Sequence, residues 1–435
     1  MNGQIPFHSP AERLRRGAPA ADRVHPRGAW FFFVTQLLAV VMLQRIVVPG
    51  LAVELILFIF AAGLAGFCLF GEVYISRARV VLFAAFAASV CLSSFLAGLE
   101  VSTPSIMLLL ASYSTYIIRL NVTREFYLQC VNFFIGVMIV IAFITIVQIG
   151  GQAAIGKVVV PNMDEMLPKN LIIEGFAYWQ PLYWGSEIIK PPAFFFREVS
   201  VVSQFLSLAI VAEITFFRRI WRLLILFVAL FSTFAGTGLL ILAIMSPLLL
   251  AKLPRAGKLL TIPLVAAAVV VLSFSGWFSN VEHRADEYED TSSSGYGRFI
   301  YPVLVLSRLA EFDNPLFTGM GGGNADREIY HKGSAGVGDV GAGAVVLTAP
   351  TKMLLEYGIV PAILFYIFLI YCLFHRAPDT SFSIAQLLLH VLGGGNLLFS
   401  PFIILFFVLG VMFRVPEQQD YAPTRRMVGE YPLGS

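Results

Sequence analysis

Arg197 and Glu198 open a segment in which cationic, acidic and hydroxyl side chains meet an apolar run. It reads Phe194-Phe195-Phe196-Arg197-Glu198-Val199-Ser200-Val201-Val202-Ser203-Gln204. An arginine at the start of a helix sits where free backbone N–H groups and the helix dipole already favour an anion. Ser200 and Gln204 follow at i+3 and i+7, so a continuous helix places them beneath Arg197 on one face. Such a stripe can bind an anionic group. Glu198 is the carboxylate best placed to take a proton from a reacting hydroxyl. The competing reading is an arginine that snorkels to the membrane surface and pairs with its neighbour Glu198.

A second group of residues lies further along. Arg298 stands between Tyr296 and Tyr301, with Arg308 beyond it on an apolar stretch as a rival cation. Either arginine could instead make a loop salt bridge of small worth at a surface. Then come Asn314-Pro315-Leu316-Phe317-Thr318-Gly319-Met320-Gly321-Gly322-Gly323-Asn324 and Lys352-Met353-Leu354-Leu355-Glu356-Tyr357-Gly358. Gly319, Gly321, Gly322 and Gly323 have a sufficient structural reason in tight turning. His331 is a lone loop histidine that can carry a proton or simply sit at a surface. Tyr178, Trp179, Tyr183 and Trp184 suit a membrane interface and also suit stacking on sugar faces.

The elements that must position these residues are membrane helices. Hydrophobic residues make up 58% of the 435-residue chain, charged residues 13%, and mean hydropathy is +0.80. A soluble domain is nearer a quarter charged. Hydropathy predicts about twelve spans, near 29–48, 51–70, 79–98, 105–119, 127–149, 199–217, 222–235, 238–251, 259–277, 345–374, 383–394 and 397–413. The last two are short enough to form a re-entrant hairpin. The expected fold is all-α and polytopic. Residues 1–28 form a basic tail, 29–149 the first five spans, and 150–198 an aromatic-rich outer loop. Four more spans fill 199–277, a large outer loop 278–344, the last three spans 345–413, and a second tail 414–435. Lysine and arginine gather in alternate connections, which predicts both termini in the cytoplasm and both long loops outside. No cleavage site precedes the second span, so the first helix is expected to stay attached. The four cysteines fall in or beside spans, and no disulfide framework is expected.

The Phe-Arg-Glu segment, the arginine of the large loop, the Pro-Leu-Phe-x-Gly-x-Gly-x-Gly-Asn turn and the Leu-Leu-Glu-x-Gly segment, in that order, resemble the O-antigen ligase and Wzy-type polysaccharide polymerase superfamily. The resemblance spans about residues 190 to 374. It implies a GT-C-like membrane glycosyltransferase of the bacterial inner membrane, with its site facing the periplasm. It implies a metal-independent, inverting transfer of a sugar chain from undecaprenyl diphosphate, with no cofactor. Arg197 and Arg298 would then hold the diphosphate, because a permanently charged guanidinium grips phosphate oxygens in pairs. Glu198 is the tentative base, with His331 as a further catalytic candidate. Ser200, Gln204, Tyr296, Tyr301, Arg308, Trp179 and Trp184 are candidates for substrate contact.

The sequence also departs from the pattern. Val199 stands where proline is usual, Phe234-Ala235-Gly236-Thr237-Gly238 lacks an arginine, and Leu347-Thr348 occupies the place of a His-Asn pair. That missing pair and the short chain favour a repeat-unit polymerase for exopolysaccharide over a ligase. Its expected partners are lipid-linked donor and acceptor, the bilayer, and a chain-length-controlling copolymerase, with no nucleic acid. A lipid-linked oligosaccharide transporter is the rival from another class. It should concentrate charge near mid-membrane, whereas the polar residues here gather in two outer loops.

Overall fold

The computed structural model describes residues 26–50, 53–70, 73–97, 101–156, 162–173, 178–182, 186–253, 301–307, 315–325, 347–393 and 397–414. These residues are mostly helical. In the first half α1 (Pro26–Met42), α2 (Leu55–Phe70), α3 (Arg77–Leu96), α4 (Thr103–Ser114), α5 (Arg124–Ile155) and the short α6 (Met163–Met166) follow one another. The second half holds α7 (Val199–Ala212), α8 (Ile220–Ser232), α9 (Gly236–Lys252), α10 (Tyr301–Ser307), α11 (Pro315–Thr318), α12 (Ala349–Tyr357), α13 (Ile359–Phe374), α14 (Thr380–Leu392) and α15 (Ser400–Phe406). Two π-helical turns, Glu213–Phe217 and Phe407–Val411, extend α7 and α15.

Three of these elements are long and apolar enough to cross a membrane: α3, α5, and α7 with its π turn. Several others are shorter apolar helices. Large apolar side chains such as Phe31, Val81, Phe95 and Val147 point outward, Phe95 with 83% of its surface open. In water that exposure would be costly, and a lipid bilayer is the environment that suits it. Of the cysteines, Cys68 and Cys91 are exposed and Cys130 and Cys372 buried, all as free thiols.

The helix ends gather at two poles. At one, β3 (Tyr74–Ile75) pairs antiparallel with β4 (Ile118–Asn121), which pairs parallel with β5 (Phe413–Arg414). Helices α3 and α5 start there, and Phe33 and Trp30 of α1 pack on Phe413 and Phe126. All three helices run to the opposite pole. There β1 (Val47–Val48) pairs with β2 (Val53–Glu54), and Ile46 bridges to Ile172.

Several boundaries differ from the hydropathy reading. The apolar stretch 345–374 is two helices, because Gly358 takes φ +82° and stops α12 before α13 begins. The 29–48 span ends as a helix at Met42, and Leu43 to Val48 turn into the β1–β2 hairpin. Helix α5 continues to Ile155, where Gly156 closes it in the left-handed conformation that glycine adopts without strain. Its 32 residues extend about 48 Å at the helical rise, against about 30 Å of hydrocarbon. The last turns of α5 support the loop that follows. The 259–277 span and most of the 278–344 loop lie outside the described residues.

Candidate functional site

Arg197 is set in place by neighbours on three segments. The last turns of α5 supply Gln152, whose amide exchanges two hydrogen bonds with the backbone of Ile189, at 3.1 and 3.0 Å. One turn back, Gln148 Oε1 accepts from Ala193 N at 3.0 Å. Ala193 and Phe194 then take φ +50° and +66°, a left-handed turn that non-glycine residues rarely adopt. That turn swings the chain into Arg197. Strain of this kind persists only where the surroundings over-determine it, and the two glutamines do so here.

The backbone of Arg197 is held from the first hairpin. Gln44 Oε1 accepts from Arg197 N at 3.4 Å, and Arg45 Nη1 donates to the Arg197 carbonyl at 3.1 Å. Arg45 is itself 2% exposed and lies with its guanidinium 4.8 Å from the centre of the Tyr178 ring. Its carbonyl accepts from Ile173 N at 3.0 Å. A cation facing an aromatic ring is stabilised by the ring quadrupole, more so when desolvated.

The Arg197 side chain pairs with Glu54. Its Nη1 donates to Glu54 Oε1 at 2.9 Å, and its guanidinium covers the Phe399 ring at 5.4 Å. The two charged side chains keep only 10% and 11% of their surface open. Burial raises the Glu54 carboxyl above its ordinary value of 4.5, against the opposing pull of Arg197. Burial also lowers Arg197, with Glu54 opposing. Arg197 stays a cation through the physiological range. Glu54 Oε2 is buried without a hydrogen-bond partner among the described residues. The Ser400 hydroxyl is near enough to ease the carboxylate charge, but it makes no bond of good geometry to that oxygen.

The polar stripe expected beneath Arg197 is corrected by this geometry. Glu198 is extended, at φ −147° and ψ 156°, and α7 starts only at Val199. Arg197 therefore lies off the helix, and i+3 and i+7 do not define a face with it. Ser200 Oγ donates to Glu198 Oε2 at 2.8 Å, while Gln204 is buried within the bundle. The hydroxyls that do continue inward serve helix packing. Ser203 Oγ lies 3.2 Å from Thr237 Oγ1, and Ser207 Oγ donates to the Gly238 carbonyl at 2.7 Å. A Cβ on Gly238 would overlap the Ser203 carbonyl, which accounts for glycine at this position in the first turn of α9.

The glycine turn and the Leu-Leu-Glu-Tyr-Gly segment meet at the same pole. Met320 N donates to the Leu355 carbonyl at 2.7 Å and Gly321 N to the Glu356 carbonyl at 2.9 Å. Ser93, in the last turn of α3, donates to the carbonyls of Thr318 and Tyr357. The glycine turn and the Leu-Leu-Glu-Tyr-Gly segment thus form one docked unit. Gly319, Gly321 and Gly323 have φ of +71°, +87° and +73°. A side chain on Gly358 would overlap the Phe317 carbonyl. Beneath the turn, Glu356 is fully buried with Lys352 at 3.6 Å.

Of the other expected site residues, Trp179 is 38% exposed. Its neighbour Tyr178 is buried against Arg45. Tyr301 begins α10. Trp184, Tyr296, Arg298, Arg308 and His331 lie outside the described residues. Arg45 and Glu54 were not among the expected residues. The signal for them was present: two charges near the facing ends of successive apolar runs require partners or water. Among the described residues no group of three or more His, Cys, Asp or Glu side chains is arranged to hold a metal ion. No protein-family model matches this chain, and no curated protein matches it.

Proposed function

We propose that this chain is a polytopic inner-membrane glycosyltransferase of the Wzy-type polymerase kind. It would join undecaprenyl-diphosphate-linked repeat units into exopolysaccharide on the outer face of the membrane. The observation that supports this most is the buried Arg45–Arg197 pair of guanidiniums, held beside a carboxylate at the pole where the glycine turn docks. A diphosphate leaving group gains charge as its bond to the sugar breaks, and fixed cations aimed at that charge are commonly the largest catalytic contribution.

In this reading the hydroxyl of the incoming repeat attacks the anomeric carbon of the chain's first sugar from the face opposite the diphosphate. The carbon–oxygen bond to the diphosphate breaks, and its electron pair leaves with the phosphate oxygen. The configuration at carbon inverts, and the hydroxyl proton passes to Glu198. Arg197 and Arg298 carry the charge of the departing diphosphate. The site opens to the periplasm, and both termini lie in the cytoplasm.

The test is reconstitution. Purified protein in EDTA, given a lipid-linked repeat unit of its own organism, should build a ladder of longer lipid-linked chains. Arg197→Ala and Arg298→Ala should each abolish the ladder while remaining monodisperse. No ladder from well-folded wild type would overturn the polymerase reading and favour transfer to another acceptor or transport. A ladder surviving both substitutions would keep the reaction and discard these arginines.

A further inference from the structure

Arg197 meets an anion of the chain itself, and that anion comes from far along the sequence, on the hairpin before α2. We propose that Glu54 is the resident anion of a phosphate seat: it holds the Arg197 guanidinium in the empty protein, and a diphosphate group displaces it. The inference rests on the diphosphate reading above and assigns a role to a residue which that reading does not use.

Three features of the pair fit a placeholder. Glu54 satisfies only one of its two carboxylate oxygens on Arg197, leaving Oε2 buried without a hydrogen-bond partner among the described residues. A buried carboxylate that serves only as a structural bolt normally has both oxygens bonded. The backbone of Arg197 is anchored independently, by Gln44 and Arg45, so releasing the side chain need not release the loop. A carboxylate and a phosphate also present the same pattern to a guanidinium fork, two oxygens accepting from two N–H groups. The pair keeps a small opening, about a tenth of each side chain.

Charge decides what must follow displacement. Among the described residues, the groups facing the pair are Arg45 from the hairpin, Glu198 from the start of α7, and the neutral Ser400 and Phe399 from the start of α15. The two cations and two carboxylates among these described residues balance in charge. A diphosphate would add at least two negative charges to a poorly hydrated space. Glu54 taking a proton from water removes one of them and frees Arg197 for the phosphate. Burial already favours the protonated carboxyl.

The experiment measures inorganic pyrophosphate binding to the full-length protein in nanodiscs, for wild type, Glu54→Gln and Arg197→Gln, between pH 5 and 8. Glu54→Gln should bind at least tenfold more tightly than wild type at pH 8, and the two should converge toward pH 5. Taking the ratio of the two affinities cancels the titration of pyrophosphate itself. Arg197→Gln should not bind. Equal or weaker binding by Glu54→Gln at pH 8, with wild type binding well, would overturn the placeholder and leave the diphosphate reading standing. Absence of binding by both wild type and Glu54→Gln would overturn both. If Glu54→Gln is unstable, Glu54→Asp serves instead. Its carboxylate is set back by one methylene and should bind more tightly than wild type, and equal or weaker binding would count against the proposal. Tighter binding of farnesyl diphosphate than of pyrophosphate would assign the seat to a lipid-borne diphosphate. Equal binding would assign it to the diphosphate alone.

Discussion

The two poles of the bundle each bury arginines, and they bury them differently. At the strand-bearing pole Arg79, with no exposed surface, donates to the carbonyls of Tyr116, Val411 and Cys372 at 2.8, 2.9 and 2.8 Å. Arg119 donates to the His375 carbonyl at 2.9 Å. These carbonyls lie at or just beyond the C-terminal ends of helical segments, where acceptors are left over and the helix dipole welcomes a cation. At the other pole Arg197 faces a carboxylate and an aromatic ring, beside the first turns of α7 and α15. An arginine bound to carbonyls of three separate elements ties the chain together and has no role to exchange. One paired with a half-satisfied carboxylate can trade that partner for another anion. Burial alone does not distinguish a functional arginine from a structural one, but the chemistry of its partners does.

Substitutions can break this contrast, and the largest effect is expected from Arg79→Ala. It should leave buried carbonyls unsatisfied on three elements, at about 1.5–3 kcal/mol for each charged hydrogen bond. Its thermal midpoint in detergent should fall steeply and activity should fall with it. Retention of the wild-type midpoint would show that Arg79 is no bolt. Next in size is Gly358→Ala, which forces a side chain against the Phe317 carbonyl at φ +82°. A loss of more than about 1 kcal/mol is expected, read as a lower midpoint and faster proteolysis between α11 and α12.

Two smaller effects sharpen the picture of the Arg197 pole. The raised carboxyl of Glu54 means the folded chain holds a proton that the unfolded chain releases nearer its ordinary value of 4.5. Wild-type stability should therefore decline as pH rises from about 4.5 toward the raised folded value, and the decline should be shallower in Glu54→Gln. Parallel pH profiles for the two proteins would contradict that assignment. Ala193→Gly relieves a left-handed alanine at φ +50° and should be neutral to stabilising, by up to about 1 kcal/mol. A clear loss would mean that the methyl group packs more than the backbone strains.

Much of the helical layout could be read in the sequence, because apolar runs bounded by basic residues are local signals. Arg197 stands out in the sequence as a candidate, from the residues around it. Its partner does not, since Glu54 is distant in sequence and each residue alone looks like a charge at a helix end. The break at Gly358 was hidden because Met353 to Leu355 and the apolar run from Ile359 to Phe374 read as one span across it. The length of α5 was hidden by Gly150 and Gly151, which look like a stop although the helix runs through them to Gln152 and Ile155. Gln148 and Gln152 look like ordinary polar residues until the loop they support is in place. The stripe through Ser200 and Gln204 failed for one local reason: Glu198 is extended, so the helical phase does not reach Arg197. The turning role expected of Gly319, Gly321 and Gly323 did match the structure, because positive φ is a local demand of the backbone.

The most direct measurement is the chain-extension rate of Arg197→Lys against wild type at equal amounts of folded protein. Lysine keeps the charge but lacks the planar fork. If Arg197 grips the departing diphosphate, the rate should fall by about a hundredfold or more, with the thermal midpoint within a few degrees of wild type. A variant that extends chains at close to the wild-type rate would contradict the assignment of Arg197 to the reaction.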